Sequence, residues 1–448
     1  MTKEIQQETI RGIALRAKAL GGRAMLVGGC VRDALTGRES ADIDCEVYGL
    51  APQALRSLAA EFGEVDESGA RYGIFSLKDA GIDLAVPRLE RRTGPKHGDF
   101  DVRLDPAIPF ARAAARRDFT VNAILRDALT GEIVDPFGGQ ADLRRGVLRA
   151  VPGDGFAEDP LRVLRGAQFA ARFRLSPDAK TLEKMRTMKT DALSPARVLG
   201  EMKKAMASDA PDVFFDVLRR VDALRPWFGE LAALIGVPQP PRYHPEGDAY
   251  THSMLVLHAA AQKKARALRP EAFVFSALTH DLGKAVSTAR GEDGEWHACG
   301  HENTGVPLTR AMLGRLGVNR EIIAYCENMC RLHMRAHVCH YRQAETGETN
   351  LLFDESVCPN DLALLAVCDT MGKGSASGGA DGEAAFLTGR VRVYEETAAR
   401  GLPDGGMLLA AGMEPGPQLA EALAAARRRA LTGETAEEAV QNVLRKRQ

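Results

Sequence analysis

Ile5, Ile10, Ile13 and Leu20 fall roughly on one helical face, and this spacing predicts an amphipathic helix over residues 1 to about 22. An apolar strand, Met25-Leu-Val, then runs into Gly28-Gly29 and a helix start at Cys30-Val-Arg32-Asp33. Asp42-Ile-Asp44 reads as a strand, residues 53–62 as a helix, and Gly73-Ile-Phe-Ser-Leu and Ile82-Asp83-Leu-Ala-Val as strands of the same sheet. Phe119 to Leu125 and Gly131 to Val134 close a mixed α/β region at about residue 150. Helical periodicity takes over from Gly155 to about Ile235, with Asp159 as N-cap and Pro160 in the first helical position. Four prolines between Pro238 and Pro245 mark a linker, and a second helical region runs from Asp248 to about Thr370. Gly372 to Gly382 is Gly/Ser-rich and reads as a mobile loop. No internal repeat is visible. The pattern predicts an α+β multidomain chain: a head over 1–150, a helical neck and body over 151–237, an all-α domain over 238–382 and a helical tail over 383–448.

Composition adds little to this picture. The chain has 448 residues, 45% hydrophobic and 27% charged, which is ordinary for a globular protein. A formal net charge of −1 puts any basic surface in local patches, such as Arg88, Arg91, Arg92, Lys96, Arg103, Arg112, Arg116 and Arg117. No apolar run is long enough to span a bilayer and the start is polar, so the expected location is cytoplasmic, with no membrane partner. Eight scattered cysteines fit reduced thiols. Of ten histidines, all but His97 lie between His244 and His340, so one segment carries its own chemistry.

The candidate chemistry of the head is nucleotidyl transfer. Residues two apart on a strand share a face, so Asp42 and Asp44 can hold Mg²⁺ together. The Gly28-Gly29 turn brings backbone N–H groups to a triphosphate, and Arg32 adds a cation. Asp83 is a candidate third acid, with a strand-end surface acid as the alternative. Arg116-Arg117-Asp118 can hold phosphate and ribose, Arg to oxygens and Asp to a hydroxyl. Asp159, Arg162 and Arg165, spaced by three, share a helical face. An acceptor beside a donor matches the donor–acceptor edges of cytosine and adenine and opposes those of guanine and uracil. Such bidentate reading discriminates by roughly 1–3 kcal/mol.

Taken in order, the Gly-Gly turn, Asp42-Ile-Asp44, Arg116-Arg117-Asp118-Phe-Thr-Val-Asn-Ala and Glu158-Asp159-Pro-Leu-Arg162-Val-Leu-Arg165 resemble the class II tRNA nucleotidyltransferase (CCA-adding) and bacterial poly(A) polymerase family. The resemblance covers residues from about 23 to 235. It implies a polymerase-β-like head, metal on Asp42 and Asp44, nucleotide contacts from Arg117 and Asp118, and base reading by Asp159 and Arg162. Ser194-Pro-Ala-Arg197 and Glu201 resemble a further motif supporting the neck. Arg88 to Asp105 falls where the family carries a flexible loop for the switch from C to A, and no Arg-rich motif marking poly(A) polymerases follows the core.

His252, His280-Asp281, His301, His333 and Asp369 resemble the HD phosphohydrolase superfamily, in which such residues ligate a divalent metal whose water attacks a phosphoester. Lys284 is a candidate phosphate contact. Cys326, Cys330, His333, His337 and His340 imitate zinc spacing, but the first four fall on one face of a single helix, and one straight helix cannot wrap a tetrahedral ion, so all but His333 read as packing. A CCA-adding head followed by such a domain resembles the multifunctional bacterial tRNA nucleotidyltransferases. The expected function is metal-dependent addition of the 3′-terminal CCA of tRNA from CTP and ATP, with an added phosphatase or 2′,3′-cyclic phosphodiesterase activity. The alternatives are a poly(A) polymerase, a phosphohydrolase whose head only binds RNA, and a non-catalytic RNA adaptor.

Overall fold

Alternation along one strand decides which face of the head sheet carries chemistry. Cys45 and Val47 point one way and Asp44, Glu46 and Tyr48 the other. In the computed structural model, which describes residues 3–40, 42–92, 100–374 and 379–446, eight strands are laid down between Arg23 and Val134. They are β1 (Arg23–Val27), β2 (Ile43–Tyr48), β3 (Ile74–Leu77), β4 (Ile82–Ala85), β5 (Arg88–Arg92), β6 (Phe100–Leu104), β7 (Leu125–Asp127) and β8 (Ile133–Val134). Six form a mixed sheet in the order β3-β4-β2-β1-β7-β8. Only β2 and β4 run parallel, and their register sets Asp44 beside Asp83.

Helices α1 (Lys3–Ala19) and α3 (Pro52–Ala60) cover one face of this sheet; α2 (Gly29–Leu35) follows the glycine turn. Ile10, Ile13, Leu55 and Leu58 pack there against Cys45, Val47, Phe75, Ile82 and Leu84. Burial of these apolar side chains commits the opposite face of β2 and β4 to Asp44, Glu46 and Asp83.

The chain divides into two compact units, Met1–Thr190 and Asp191–Gln448, a division that falls inside the stretch 151–237. The second unit is helical, and its helices Ala249–Lys263, Pro270–Thr279, His301–Arg315, Arg320–Tyr341, Pro359–Gly372 and Ala380–Ala399 carry the histidine segment.

Several local expectations are corrected. Asp42 stands just before β2, which begins at Ile43. Phe119 to Leu125 is a 3-10 turn at Thr120–Asn122 rather than a strand, since Asp118 bonds forward to the Phe119 amide and Asn122 and bends the chain. The neck helix starts at Leu161, so Asp159 is not on its face. Its backbone is extended (φ −122°) and its Oδ1 accepts the Leu161 N–H at 3.1 Å. His280 and Asp281 lie in the turn after Pro270–Thr279, not within a helix. The helix starting at Ala380 already contains Glu383, the residue at which the tail was expected to begin. Arg88–Arg92 and Phe100–Leu104 pair as an antiparallel β5/β6 ribbon; residues 93–99, Lys96 among them, and 375–378 of the Gly/Ser-rich stretch are outside the described residues. Among the described residues no helix is long and apolar enough to cross a membrane. All eight cysteines are free thiols.

Candidate functional sites

In the head, the glycine turn, the acids and one arginine meet. Gly28 is in the left-handed region (φ +73°), and a Cβ placed on it would lie 2.9 Å from Arg117 Nη1 and 3.5 Å from Asp44 Oδ2. Only glycine allows the guanidinium and the carboxylate to close on this backbone. Asp42, Asp44 and Asp83 face solvent. Desolvation in the cleft raises the Asp44 carboxyl above its ordinary value; Arg117 opposes this, and Asp83, Asp42 and Glu46 add to it as like charges. Three hard oxygen donors that repel one another suit a hard divalent cation. The head acids are neighbours in register, but the groups whose ligand atoms converge within 4.8 Å are found, among the described residues, only in the second unit.

Behind this cleft lies a buried polar network. Arg32, 5% exposed, donates to Asp33 Oδ1 (2.7 and 2.8 Å) and to Asn122 Oδ1 (2.7 Å), and its guanidinium sits 3.9 Å from the Phe173 ring centroid. Asn122 donates in turn to Asp118 Oδ1 at 2.9 Å, and Arg165 donates to Asp118 Oδ2 at 2.7 Å. Arg162 donates to the carbonyls of Gly155 and Arg116, each at 2.6 Å. The structure thus brings Gly28, Gly29, Arg117, Asp42 and Asp44 to the cleft. It joins Arg32, Asp118 and Arg165 in the supporting network, and braces Arg162 between two backbone segments. Sequence reasoning missed Glu46, although the period-two rule applied to Asp42 and Asp44 reaches it next.

Burial alone would raise the Asp118 carboxyl, but Arg165, the Asn122 amide and the Phe119 N–H outweigh it and hold it below the usual value of 3.8. A carboxylate depressed in the folded state contributes stability above its unfolded pKa, and that contribution is lost as pH falls through the folded one. The head is therefore expected to lose stability on acidification below about pH 4. Asp118→Asn should flatten that limb of an acid-unfolding curve followed by near-ultraviolet circular dichroism; an unchanged limb would count against the network.

The second unit gathers histidines and acids from five segments. His252 comes from Ala249–Lys263, His280 and Asp281 from the turn, His301 from the first residue of its helix, His333 from Arg320–Tyr341 and Asp369 from Pro359–Gly372. The Nδ1 atoms of His280, His301 and His333 lie 2.6–2.8 Å from the carbonyls of Ala277, Ala298 and Cys330. Carbonyls only accept, so these nitrogens donate and the Nε2 atoms turn inward. His252 Nδ1 does the same toward Glu246 Oε1 at 2.7 Å. Three groups of converging ligand atoms result: His252, His280 and Asp369; Asp281, His301 and His333; and His244, Glu246 and His252. Asp281 touches the first two, with Oδ2 3.3 Å from His280 Nε2 and Oδ1 3.1 Å from His301 Nε2.

The Nε2 atoms of His252 and His280 and Oδ1 of Asp369 are buried without a hydrogen-bond partner. His252 Nε2 and Asp369 Oδ1 stand 3.0 Å apart, and His301 and His333 Nε2 3.3 Å. A nitrogen lone pair facing a carboxylate oxygen repels it, so a proton or a metal ion must lie between them; burial opposes the proton at His252 and His301, but Asp369 and Glu246 outweigh it at the first and Asp281 at the second. Burial pushes His333 down to about 4, keeping it a neutral ligand at neutral pH. This donor set fits a divalent ion of borderline type.

His337, read from sequence as packing, instead has Nε2 2.7 Å from Asp369 Oδ2 and Nδ1 2.8 Å from Glu383 Oε1. Both partners are carboxylates, so both ring nitrogens donate and the ring is an imidazolium. Burial opposes this charge, but Asp369 and Glu383 prevail and raise its pKa to about 9. Its position four residues after His333 was the available signal. Lys284 Nζ lies 2.6 Å from Asp281 Oδ2 and donates to Gln239 Oε1 at 2.7 Å. A cleft of about 720 Å³ opens on the cluster, lined by Lys284, Lys373, His301, Asp369, Tyr243 and Trp296. Gly283 permits the close crossing here, because a Cβ on it would lie 2.0 Å from the His301 carbonyl oxygen. Gly283→Ala is expected to destabilise this unit by about 1–3 kcal/mol and to weaken Mn²⁺ binding. Thermal unfolding with and without Mn²⁺ checks both, and an unmoved midpoint would contradict the crossing.

Matches to known proteins agree with the head geometry. Residues 24–149 match the model described as "Poly A polymerase head domain", and residues 174–235 the one described as "Probable RNA and SrmB- binding site of polymerase A". The sheet with its adjacent acids defines the first unit as a nucleotidyltransferase head. The multifunctional CCA protein of Nitrosococcus oceani is 41% identical over 318 residues, 70% of this chain and 74% of its own. That of Xanthomonas campestris pv. campestris is 37% identical over 419 residues, 90% and 96% of the two chains. The chain belongs to the multifunctional CCA protein family. The fold is shared with a Thermotoga maritima CCA-adding enzyme complexed with tRNA (18% identity, TM-score 0.62, 98% and 95% covered). It is shared also with a Bacillus stearothermophilus CCA-adding enzyme complexed with CTP (20% identity, TM-score 0.63, 100% and 98% covered).

Proposed function

We propose that this protein completes or repairs the 3′-terminal CCA of tRNA from CTP and ATP at the head, and hydrolyses phosphoesters at the histidine cluster. The observation that carries the first part is the meeting of Asp44 and Arg117 at the Gly28 backbone. Asp42 and Asp44, with Asp83 in register, would hold Mg²⁺, which when bound supplies charge neutralisation for the triphosphate and activation of the tRNA 3′-hydroxyl. Arg117 and the amides of the glycine turn bind the phosphates, while Arg32, Asp118 and Arg165 fix the floor beneath them. Asp159 and Arg162 would read the base as acceptor and donor, admitting C and A and opposing G and U, with Arg162 exchanging its bonds to the Gly155 and Arg116 carbonyls for the base edge. The helical segments hold the tRNA acceptor arm by phosphate and shape.

In the second unit, His252, His280 and Asp369 would hold one divalent ion and Asp281, His301 and His333 another. When bound, such an ion would supply activation of a water for attack on a phosphoester. Lys284 and Lys373 flank the cleft and draw a phosphate in. Glu246 and His337 orient His252 and Asp369. Membership of a family of bacterial tRNA-processing proteins supports a cytoplasmic location.

The deciding experiment incubates the purified protein with tRNA lacking its last three residues, CTP and ATP. Addition of three residues supports the reading; a long A tail overturns it in favour of a poly(A) polymerase.

A further inference from the structure

Glu46 is a buried charge of the head that nucleotidyl transfer does not itself require. Glu46 is 2% exposed. Its Oε1 accepts from Arg117 Nη2 at 3.0 Å and from Arg116 Nη2 at 2.6 Å, and its Oε2 accepts from the Tyr48 hydroxyl at 2.9 Å. Because β2 alternates, Asp44, Glu46 and Tyr48 project from one face, so the strand that offers the acid also offers this anchor. Among the described residues, the hydrogen bond of the Arg117 side chain goes to Glu46. Its Nη2 is held by Glu46, while its Nη1 lies 2.9 Å from where a Cβ on Gly28 would sit. A guanidinium is planar and rigid, so fixing one nitrogen fixes the direction of the other.

We propose that Glu46 is a positioning residue for the incoming nucleotide: it orients Arg117 from behind, so that the free edge of the guanidinium is presented at the glycine turn where the triphosphate binds. The inference rests on the head adding nucleotides. It assigns Glu46 no contact with metal, substrate or reacting atoms. Loss of the anchor should therefore cost nucleotide binding rather than chemistry, since Arg117 would remain present but sample other rotamers.

The test compares the full-length wild type with Glu46→Gln, Glu46→Asp and Tyr48→Phe, using tRNA lacking its terminal residues. KM for CTP and for ATP should each rise about tenfold in Glu46→Gln, with kcat within about threefold, as loss of a charge-assisted hydrogen bond predicts. Glu46→Asp should recover part of that rise. Calorimetric titration of CTP without tRNA should show the same weakening. Tyr48→Phe, which keeps the charge and both arginine bonds, should raise KM by about twofold and remains informative if Glu46→Gln fails to fold. A fall in kcat at unchanged KM would mark a merely structural role and overturn the proposal. So would a loss of kcat reversed by excess Mg²⁺, which would make Glu46 a metal ligand. Unchanged constants in folded Glu46→Asp and Tyr48→Phe would overturn it as well. A wild type that adds no nucleotide would instead refute the reading on which the proposal stands.

Discussion

Asp44→Ala is expected to lower the rate of 3′-end addition by at least about a thousandfold, equivalent to about 4 kcal/mol of transition-state stabilisation. Asp44 lies on β2 within the cleft, beside Asp83 in register and close to the Gly28 backbone and Arg117. No neighbour can replace it, because Asp42 stands before the strand and Asp83 on the next one. Its carboxyl is raised by desolvation and by like charges, so its removal relieves repulsion, and the head should remain folded with an unchanged or slightly higher melting temperature. Single-turnover incorporation of labelled CTP into shortened tRNA measures the loss. A variant that still adds nucleotides within tenfold of wild type would remove Asp44 from the reaction.

The second large effect belongs to Asp281. Its two oxygens face different histidine pairs, His280 and His252 on one side and His301 and His333 on the other. Asp281→Asn keeps the shape but removes the negative charge shared by both groups. Phosphoester hydrolysis, assayed on 2′,3′-cyclic AMP with added Mn²⁺ or Ni²⁺, should fall about a thousandfold or more. Metal content after equilibrium dialysis should drop at both groups rather than one. A variant that retains one bound ion per chain would mean that the two groups do not share a ligand. Lys284, which pairs with Asp281 at 2.6 Å, would lose its partner and gain freedom toward the cleft.

Much of the head could be read from residue order because its chemistry follows short-range rules. Alternation on β2 put Asp44 on the polar face, and the glycine turn placed its backbone beside it. What escaped was whatever depends on distant segments. Asp118 reads in isolation as a nucleotide contact, yet Arg165, 47 residues away, and Asn122 enclose it. Arg32 reads as a phosphate ligand, but the rings of Phe169 and Phe173 and the carboxylate of Asp33 cover it. His337 was dismissed because a single helix cannot encircle an ion. That geometry is right, but it overlooks a histidine that serves a neighbouring ligand instead of the metal. Glu46 was passed over because burial of its carboxylate depends on Arg116 and Arg117, 70 and 71 residues further on.

Glu383 lies across residues 375–378 from Asp369, yet its carboxylate closes a chain through His337 back to Asp369, with Thr370 donating to its other oxygen at 2.5 Å. The C-terminal helices are thus not a detachable appendage. A protein shortened at residue 382 would leave an imidazolium with only one counter-charge and a candidate ligand free to swing, so trimming the end of this chain should alter catalysis far upstream of the cut.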